Sequence, residues 1–168
     1  MMTDTEKAFK QGDYVVYPVH GVGRLTGFEI YEVEGFKTEL MIISFDRERM
    51  VLRLPPAKAK NAGLRPLSST DDMLNAFETL KQKAKVRRTM WSRRAQEYET
   101  KINSGDPRSI AEVIRDLYRN TTQSEQSYSE RQIYQAAMER FARELAAVEN
   151  IDEPSAVAKV EDILKAAA

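Results

Sequence analysis

The stretch FKTELMIISFDRERMVLRLPP, residues 36–56, decides the fold of the first half of the chain. β-Branched, aromatic and aliphatic residues concentrate in 36–45 and 50–54, and the polar residues 46–49 between them are typical of a hairpin turn. Pro55 and Pro56 cannot donate backbone hydrogen bonds, so they must end the second strand. The stretch therefore predicts two antiparallel strands that stop at Pro55.

Short runs of the same kind precede this hairpin. Residues 13–19 and 25–33 combine β-branched and aromatic side chains, and residues 34–35 have the composition of a hairpin turn. We interpret Gly21 and Gly23 as turn residues. About five strands in so short a stretch are too few for a sandwich of two full sheets, so we expect a small, strongly bent sheet or an SH3-like β-barrel.

The apolar spacing becomes helical after Pro66, which predicts a second, all-helical half. Five helices are expected, beginning at Ser69, near Thr89 or Met90, at Pro107, at Ser129 and at Pro154. Gly105 is expected to end the second of them in a left-handed conformation. The chain is thus predicted to be an α+β protein with a β domain over 1–62 and a five-helix bundle over 63–168, joined near residues 59–68.

The composition excludes several classes of function. The chain has no cysteine and a single histidine, His20, so thiolate chemistry and the common zinc sites are ruled out. The Gly21-Val22-Gly23 stretch lacks the third glycine of a dinucleotide-binding motif, and no Walker-type phosphate loop occurs. Residues 1–11 lack the apolar core of a signal peptide, and no apolar run is long enough for a membrane span. We expect a cytoplasmic protein that is not an enzyme and needs no metal or cofactor.

One segment concentrates positive charge although the whole chain has a formal net charge of zero. Residues 81–94 contain seven basic residues and no acidic one: Lys81, Lys83, Lys85, Arg87, Arg88, Arg93 and Arg94. Charges act mainly within a Debye length of about 8–10 Å, so such a cluster attracts phosphates regardless of the molecular total. The alternative is a solvated, basic helix surface.

A tryptophan lies inside this basic segment, in Arg87-Arg88-Thr89-Met90-Trp91-Ser92-Arg93-Arg94. Its large flat ring can wedge or stack against a base while flanking arginines hold phosphates. Alternatively, Trp91 only caps the core of the bundle. Arg87, Trp91 and Arg94 lie at helical spacing and would share one basic face if the helix extended back to Arg87, which favours exposure of the ring.

These residues resemble a known family of transcription regulators. Residues 9–18, FKQGDYVVYP, followed by His20-Gly21-Val22-Gly23, resemble the start of CarD/CdnL-type regulators and the polymerase-interacting module of transcription-repair coupling factors. Trp91-Ser92-Arg93-Arg94, residues 104–106 and residues 111–117 resemble the helical half found in CarD/CdnL but not in the repair factors. The resemblance covers nearly the whole chain.

For the first half, the resemblance implies a Tudor-like domain that binds the RNA polymerase β subunit. Part of that contact is the pairing of an edge strand with a strand of the partner. Such pairing uses main-chain hydrogen bonds and depends little on the identity of the side chains. We assign the edge to 50–54, which includes Val51 and Leu52, with Arg53 at the family's polymerase-contacting position. Tyr31 stands at a second contact position, where some relatives have arginine. Arg53 is alternatively a solvated strand residue.

For the second half, the resemblance implies contact with promoter DNA at the upstream fork of the transcription bubble. Trp91 matches a tryptophan that enters the minor groove there, and Arg93 matches an arginine that contacts the backbone, while Gln96 replaces a residue that is basic in the family. Recognition should depend on shape and strand opening, not base sequence. We expect DNA contacts from Lys85, Arg87, Arg88, Trp91, Arg93 and Arg94, and a protein that acts as a monomer associated with the nucleoid.

Two other functions remain open at this point. The chain is alternatively an adaptor of polymerase or of a repair complex, whose helical half binds an acidic protein partner with Trp91 as the anchor. An enzyme would need a cleft built from carboxylates scattered through the helices.

Overall fold

A computed structural model describes residues 9–85, 89–118 and 127–167. The chain divides into two compact units, with the boundary between Leu67 and Ser68. The boundary falls later than the expected 62/63 because the last strand of the sheet, Arg65–Pro66, pairs with the first. Within the described residues, no helix is both long and apolar enough to cross a bilayer.

The first unit contains a five-stranded sheet. Its strands are β1 (Tyr14–Tyr17), β2 (Gly21–Val33), β3 (Phe36–Phe45), β4 (Met50–Leu54) and β5 (Arg65–Pro66). They are arranged in the order β4-β3-β2-β1-β5, and all neighbours are antiparallel. The bounds of β3 and β4 are those that the sequence predicts, and the α+β class is confirmed. Closure of the sheet into a barrel stays a prediction.

The interpretation of Gly21 and Gly23 as turn residues is wrong, because both lie in β2. The turn is formed instead by residues 18–20, where the amide of His20 donates to the carbonyl of Tyr17 at 2.9 Å. Gly21 has a φ of 82°, a left-handed conformation that favours glycine. At Gly23, a Cβ atom would lie 2.7 Å from the ring of Phe45. Gly21 therefore allows a left-handed backbone conformation, and Gly23 allows close packing against Phe45.

The expected linker at 59–68 is also wrong. A short helix, α1 (Pro56–Asn61), begins directly after β4, and the chain then returns to the sheet as β5. Pro56 occupies the first turn of α1, where a missing amide proton costs nothing. The six residues of α1 are too few to show helical periodicity in the sequence.

The first unit has its own core, beneath one face of the sheet. It consists of Phe9, Val15, Leu25, Met41, Ile43, Phe45, Leu54 and Ala59. Alternation along β3 and β4 directs the side chains of Met41, Ile43 and Leu54 into this core, whereas Ile42 is only partly buried and Arg53 is exposed.

The second unit is helical. Its described helices are α2 (Thr70–Lys81), α3 (Trp91–Asn103), α4 (Pro107–Leu117), α5 (Tyr128–Glu149) and α6 (Glu153–Ala167). Ser69, Asp106 and Ser127 cap α2, α4 and α5 with side-chain hydrogen bonds, and Gly105 follows α3 with a φ of 71°. The starts and stops predicted from caps and prolines are thus confirmed to within about two residues.

Helix α4 is the central element of this unit. Eight of its eleven residues are buried, and it packs against α2, α3 and α5. Ile110, Val113, Ile114 and Leu117 form the apolar face that their spacing predicts. Two charged residues, Arg115 and Asp116, are buried with them.

We predict that Gly23→Ala destabilises the first unit by about 1–3 kcal/mol, because the added methyl group overpacks a core in which Phe45 and Ile43 are fully buried. Chemical denaturation followed by circular dichroism measures the effect. Gly27→Ala is the matched control, since a Cβ at Gly27 meets no atom within 4 Å. Equal stability of the two variants would contradict the packing role of Gly23.

Candidate functional site

Trp91 is the first residue of α3, and its side chain is half-buried. One part of the ring packs on the core of the helical unit, with its centroid 6.2 Å from that of Tyr98 and the ring planes at 52°. The indole Nε1–H donates a hydrogen bond to Oγ of Ser129 in α5 at 3.1 Å. The ring is therefore neither sealed inside the bundle nor loose on its surface.

Arg94 is turned toward this ring. Its guanidinium carbon lies 5.4 Å from the centroid of Trp91 and 5.9 Å from that of Tyr98, distances typical of cation–π contacts. One terminal nitrogen also donates to the Tyr98 hydroxyl at 3.3 Å. The Nε atom is buried and has no hydrogen-bond partner within the part of the chain that the structure describes. Arg94 thus contacts the ring of Trp91, whereas the sequence predicts a contact with DNA.

The structure places only part of the other predicted DNA-contacting residues. Helix α3 begins at Trp91, and Thr89 and Met90 before it are not helical. Arg87 and Arg88 lie outside the described residues. Arg93 is exposed on the first turn of α3, and Lys85 is exposed in the segment that follows α2. The structure therefore brings Trp91 and Arg94 together, with Arg93 beside them.

A buried polar network holds Gln82 and Lys85, in the segment that follows α2. Asp116 accepts the backbone N–H of Lys85 at 3.0 Å and the Nε–H of Arg115 at 2.9 Å, both at Oδ1. Arg115 also donates to the side-chain oxygen of Gln82 at 3.2 Å. Because Arg115 and Asp116 are 5% and 8% exposed, solvent screens their attraction little. The network anchors the exit from α2 to the end of α4.

A second polar pair lies nearby. Lys101 in α3 donates to a carboxylate oxygen of Glu112 in α4 at 2.7 Å. Partial burial raises the pKa of Glu112, but the hydrogen bond and charge of Lys101, with the charges of Arg115 and Lys85, more than offset this and leave that pKa below its ordinary value. The cavity beside these groups is only about 40 Å³. It has room for about one water molecule, not for a substrate.

A larger groove of about 740 Å³ runs along α6. Its lining is Lys81, Ser155, Ala158, Lys159, Asp162, Ile163, Ala166 and Ala167. Asp162 is the single carboxylate among these described residues, so the groove does not supply the clustered carboxylates that the enzyme alternative requires.

In the first unit, β4 lies at one edge of the sheet, as expected. Val51 and Arg53 are exposed, whereas Leu52 is half-buried against the core and offers a partner only its backbone. Nε of Arg53 lies 3.5 Å from Oε2 of Glu29 on β2, with both side chains more than half exposed. The strand register places Tyr31 on the same face as Arg53. This face continues to Phe36, which is 77% exposed.

Sequence reasoning did not identify Ser129, Tyr98 or Asp116. Ser129 is 38 residues from Trp91, and its role depends on how α3 and α5 meet. Tyr98 has the spacing of an ordinary core residue of α3. The burial of Asp116 has no signal in the sequence, since an acidic residue in a helix is usually exposed.

Comparisons with known proteins cover both units. A family model described as CarD, C-terminal domain, matches residues 75–161. A second, described as CarD-like/TRCF RID domain, matches residues 9–68. The chain is also 27% identical over 145 residues to the putative transcription factor YdeB of Bacillus subtilis (strain 168), an alignment that covers 86% of this chain and 95% of that protein.

We predict that Arg115→Met lowers the free energy of unfolding of the helical unit by about 3–5 kcal/mol, because it removes the guanidinium that pairs with the buried Asp116 carboxylate. Urea denaturation monitored by the fluorescence of Trp91 reports on this unit. In the control, Lys101→Met removes a cation from a pair whose side chains are 33% and 37% exposed, and the loss should be about 1 kcal/mol or less. Similar losses in the two variants would argue against the network as an anchor.

Proposed function

The chain belongs to the CarD family of transcription regulators that interact with RNA polymerase, and from this membership we propose that it stabilises the open promoter complex by inserting Trp91 into the upstream fork of the bubble. In this proposal the sheet binds the polymerase β subunit and the helical unit contacts DNA. The observation that carries it is the half-exposed indole at the start of α3, beside the exposed Arg93.

The N-terminus of α3 supports a phosphate contact next to the ring. Ser69, Asp106 and Ser127 cap α2, α4 and α5 with side-chain hydrogen bonds, but Met90, which precedes α3, makes no such bond. The first turn of α3 also has no acidic residue among its described positions. Amide groups at a helix start attract anions. The amides of Arg93 and Arg94 already donate to the Met90 carbonyl at 3.1 Å, so we assign an outside acceptor to those of Trp91 and Ser92. A DNA phosphate has the required charge.

The position of β4 supports binding to polymerase by strand addition. An edge strand presents backbone amides and carbonyls to a partner strand, and side chains then set specificity. Val51 and Arg53 project from the exposed face next to this edge, with Tyr31 on the same face. We assign Arg53 and Tyr31 to side-chain contacts and Leu52 to a backbone contact only.

Tethering explains how a modest DNA affinity is sufficient. When the sheet is bound to polymerase, the helical unit meets the fork at a high effective concentration. A wedge that favours the open over the closed complex by about 1.4 kcal/mol changes their ratio roughly tenfold. This is regulation by differential binding and requires no catalysis.

We expect Trp91→Ala to shorten the lifetime of the open complex roughly tenfold while leaving the affinity for polymerase unchanged, because the wedge lies in the helical unit and the proposed polymerase contact lies in the sheet. The measurement is the decay of competitor-resistant open complexes, with polymerase binding assayed in parallel. Leu74→Ala serves as the control, since Leu74 is exposed on α2. Weaker polymerase binding by Trp91→Ala, with the open-complex lifetime preserved, would instead support the adaptor in which the helical unit binds protein.

Arg53→Glu should have the opposite profile and lower the affinity for polymerase at least tenfold, because it reverses a charge beside the edge strand and places it near Glu29. Affinity is measured by surface plasmon resonance with core polymerase. The control Lys37→Glu introduces the same charge change in β3. Ile42 of β3 is the cross-strand partner of Arg53 and shares its face of the sheet, and alternation places Lys37 on the opposite face. If Lys37→Glu weakened binding as much as Arg53→Glu, the assigned face would be wrong.

A further inference from the structure

We propose that Ser129, Tyr98 and Arg94 form a brace that holds Trp91 in the orientation needed for insertion before DNA is bound. This inference rests on the proposed function and assigns the three as positioning residues, since each acts through the indole ring. The brace joins two helices, because Tyr98 and Arg94 belong to α3 and Ser129 to α5.

The first contact satisfies the one polar atom of the indole. Its Nε1–H donates to the Ser129 hydroxyl, so this edge of the ring is held at the surface of α5. An indole N–H that entered a base stack without an acceptor would lose a hydrogen bond. With the N–H directed to Ser129, the carbon edge of the ring remains for insertion.

The other two contacts restrict rotation of the ring. Tyr98 is only 6% exposed, so it provides a rigid side against which Trp91 packs. The guanidinium of Arg94 lies near both rings and is fixed by its hydrogen bond to the Tyr98 hydroxyl. The buried Nε of Arg94 shows that this side chain is committed to the bundle.

A preoriented ring binds at lower entropic cost than a freely rotating one. A side chain that must be ordered on binding loses rotamer freedom and weakens the complex. The hydroxyl of Ser129 is the part of the brace that can be removed with the least disturbance, because Ser129 is exposed and the cap of α5 is formed by Ser127.

The test compares Ser129→Ala, Ser129→Thr and Ser92→Ala in the full chain. Trp91 is the only tryptophan, so its steady-state anisotropy and its quenching by acrylamide report on the ring directly. We expect Ser129→Ala to lower the anisotropy, increase quenching and shorten the open-complex lifetime roughly two- to tenfold, the range set by loss of one hydrogen bond. Ser129→Thr keeps the hydroxyl and should restore both properties. Ser92→Ala removes an exposed hydroxyl beside Trp91 and should change neither.

The outcomes separate the brace from the proposed function. If Trp91→Ala shortens the open-complex lifetime but Ser129→Ala matches the unmodified chain in anisotropy and lifetime, the brace is refuted and the wedge stands. If Trp91→Ala has no effect on lifetime, the wedge fails, and the anisotropy of the free protein still decides whether the brace exists. Loss of folding in Ser129→Ala, detected by circular dichroism, would show that the hydroxyl is structural and would overturn the positioning role.

Discussion

Asp116 accepts the backbone amide of Lys85 inside the helical unit, a hydrogen bond between the chain that leaves α2 and the end of α4. The carboxylate is buried, so it must be compensated locally, and Arg115 supplies the charge. The chain that leaves α2 is thereby held at the end of α4, shortly before it begins α3 at Trp91. The ion pair itself lies within α4, and the hydrogen bonds of its two members to Lys85 and Gln82 are what join α4 to the chain after α2.

The two units use different physical means for the two contacts proposed. The sheet offers an edge, where main-chain groups of β4 supply the hydrogen bonds and exposed side chains add selectivity. The helical unit offers a single ring at a helix start, with positive charge around it. In the proposed function, both surfaces work by complementarity with a large partner. Regulation by such a protein consists of shifting an equilibrium that polymerase and promoter already possess.

Some features were predictable because their causes are local. Turn residues and alternation predicted the bounds of β3 and β4, and the cap at Ser69 and the proline at 107 predicted the starts of α2 and α4. The interpretation of Gly23 as a turn residue is wrong because glycine serves both turns and close packing, and the difference here lies in the ring of Phe45, which is distant in sequence. Helix α1 is not predicted by the sequence, because its six residues are too few to show helical periodicity.

The sequence by itself determined the α+β class, the family, the basic segment and the tryptophan within it, since each is a matter of residue type and spacing along the chain. Only the tertiary structure decided that Ser129 accepts the indole N–H of Trp91 and that Arg115 and Asp116 are buried. These depend on contacts between α2, α3, α4 and α5, whose partners are up to 38 residues apart. Side-chain spacing within one helix specifies a face, but which residue meets that face is fixed only when the helices pack together.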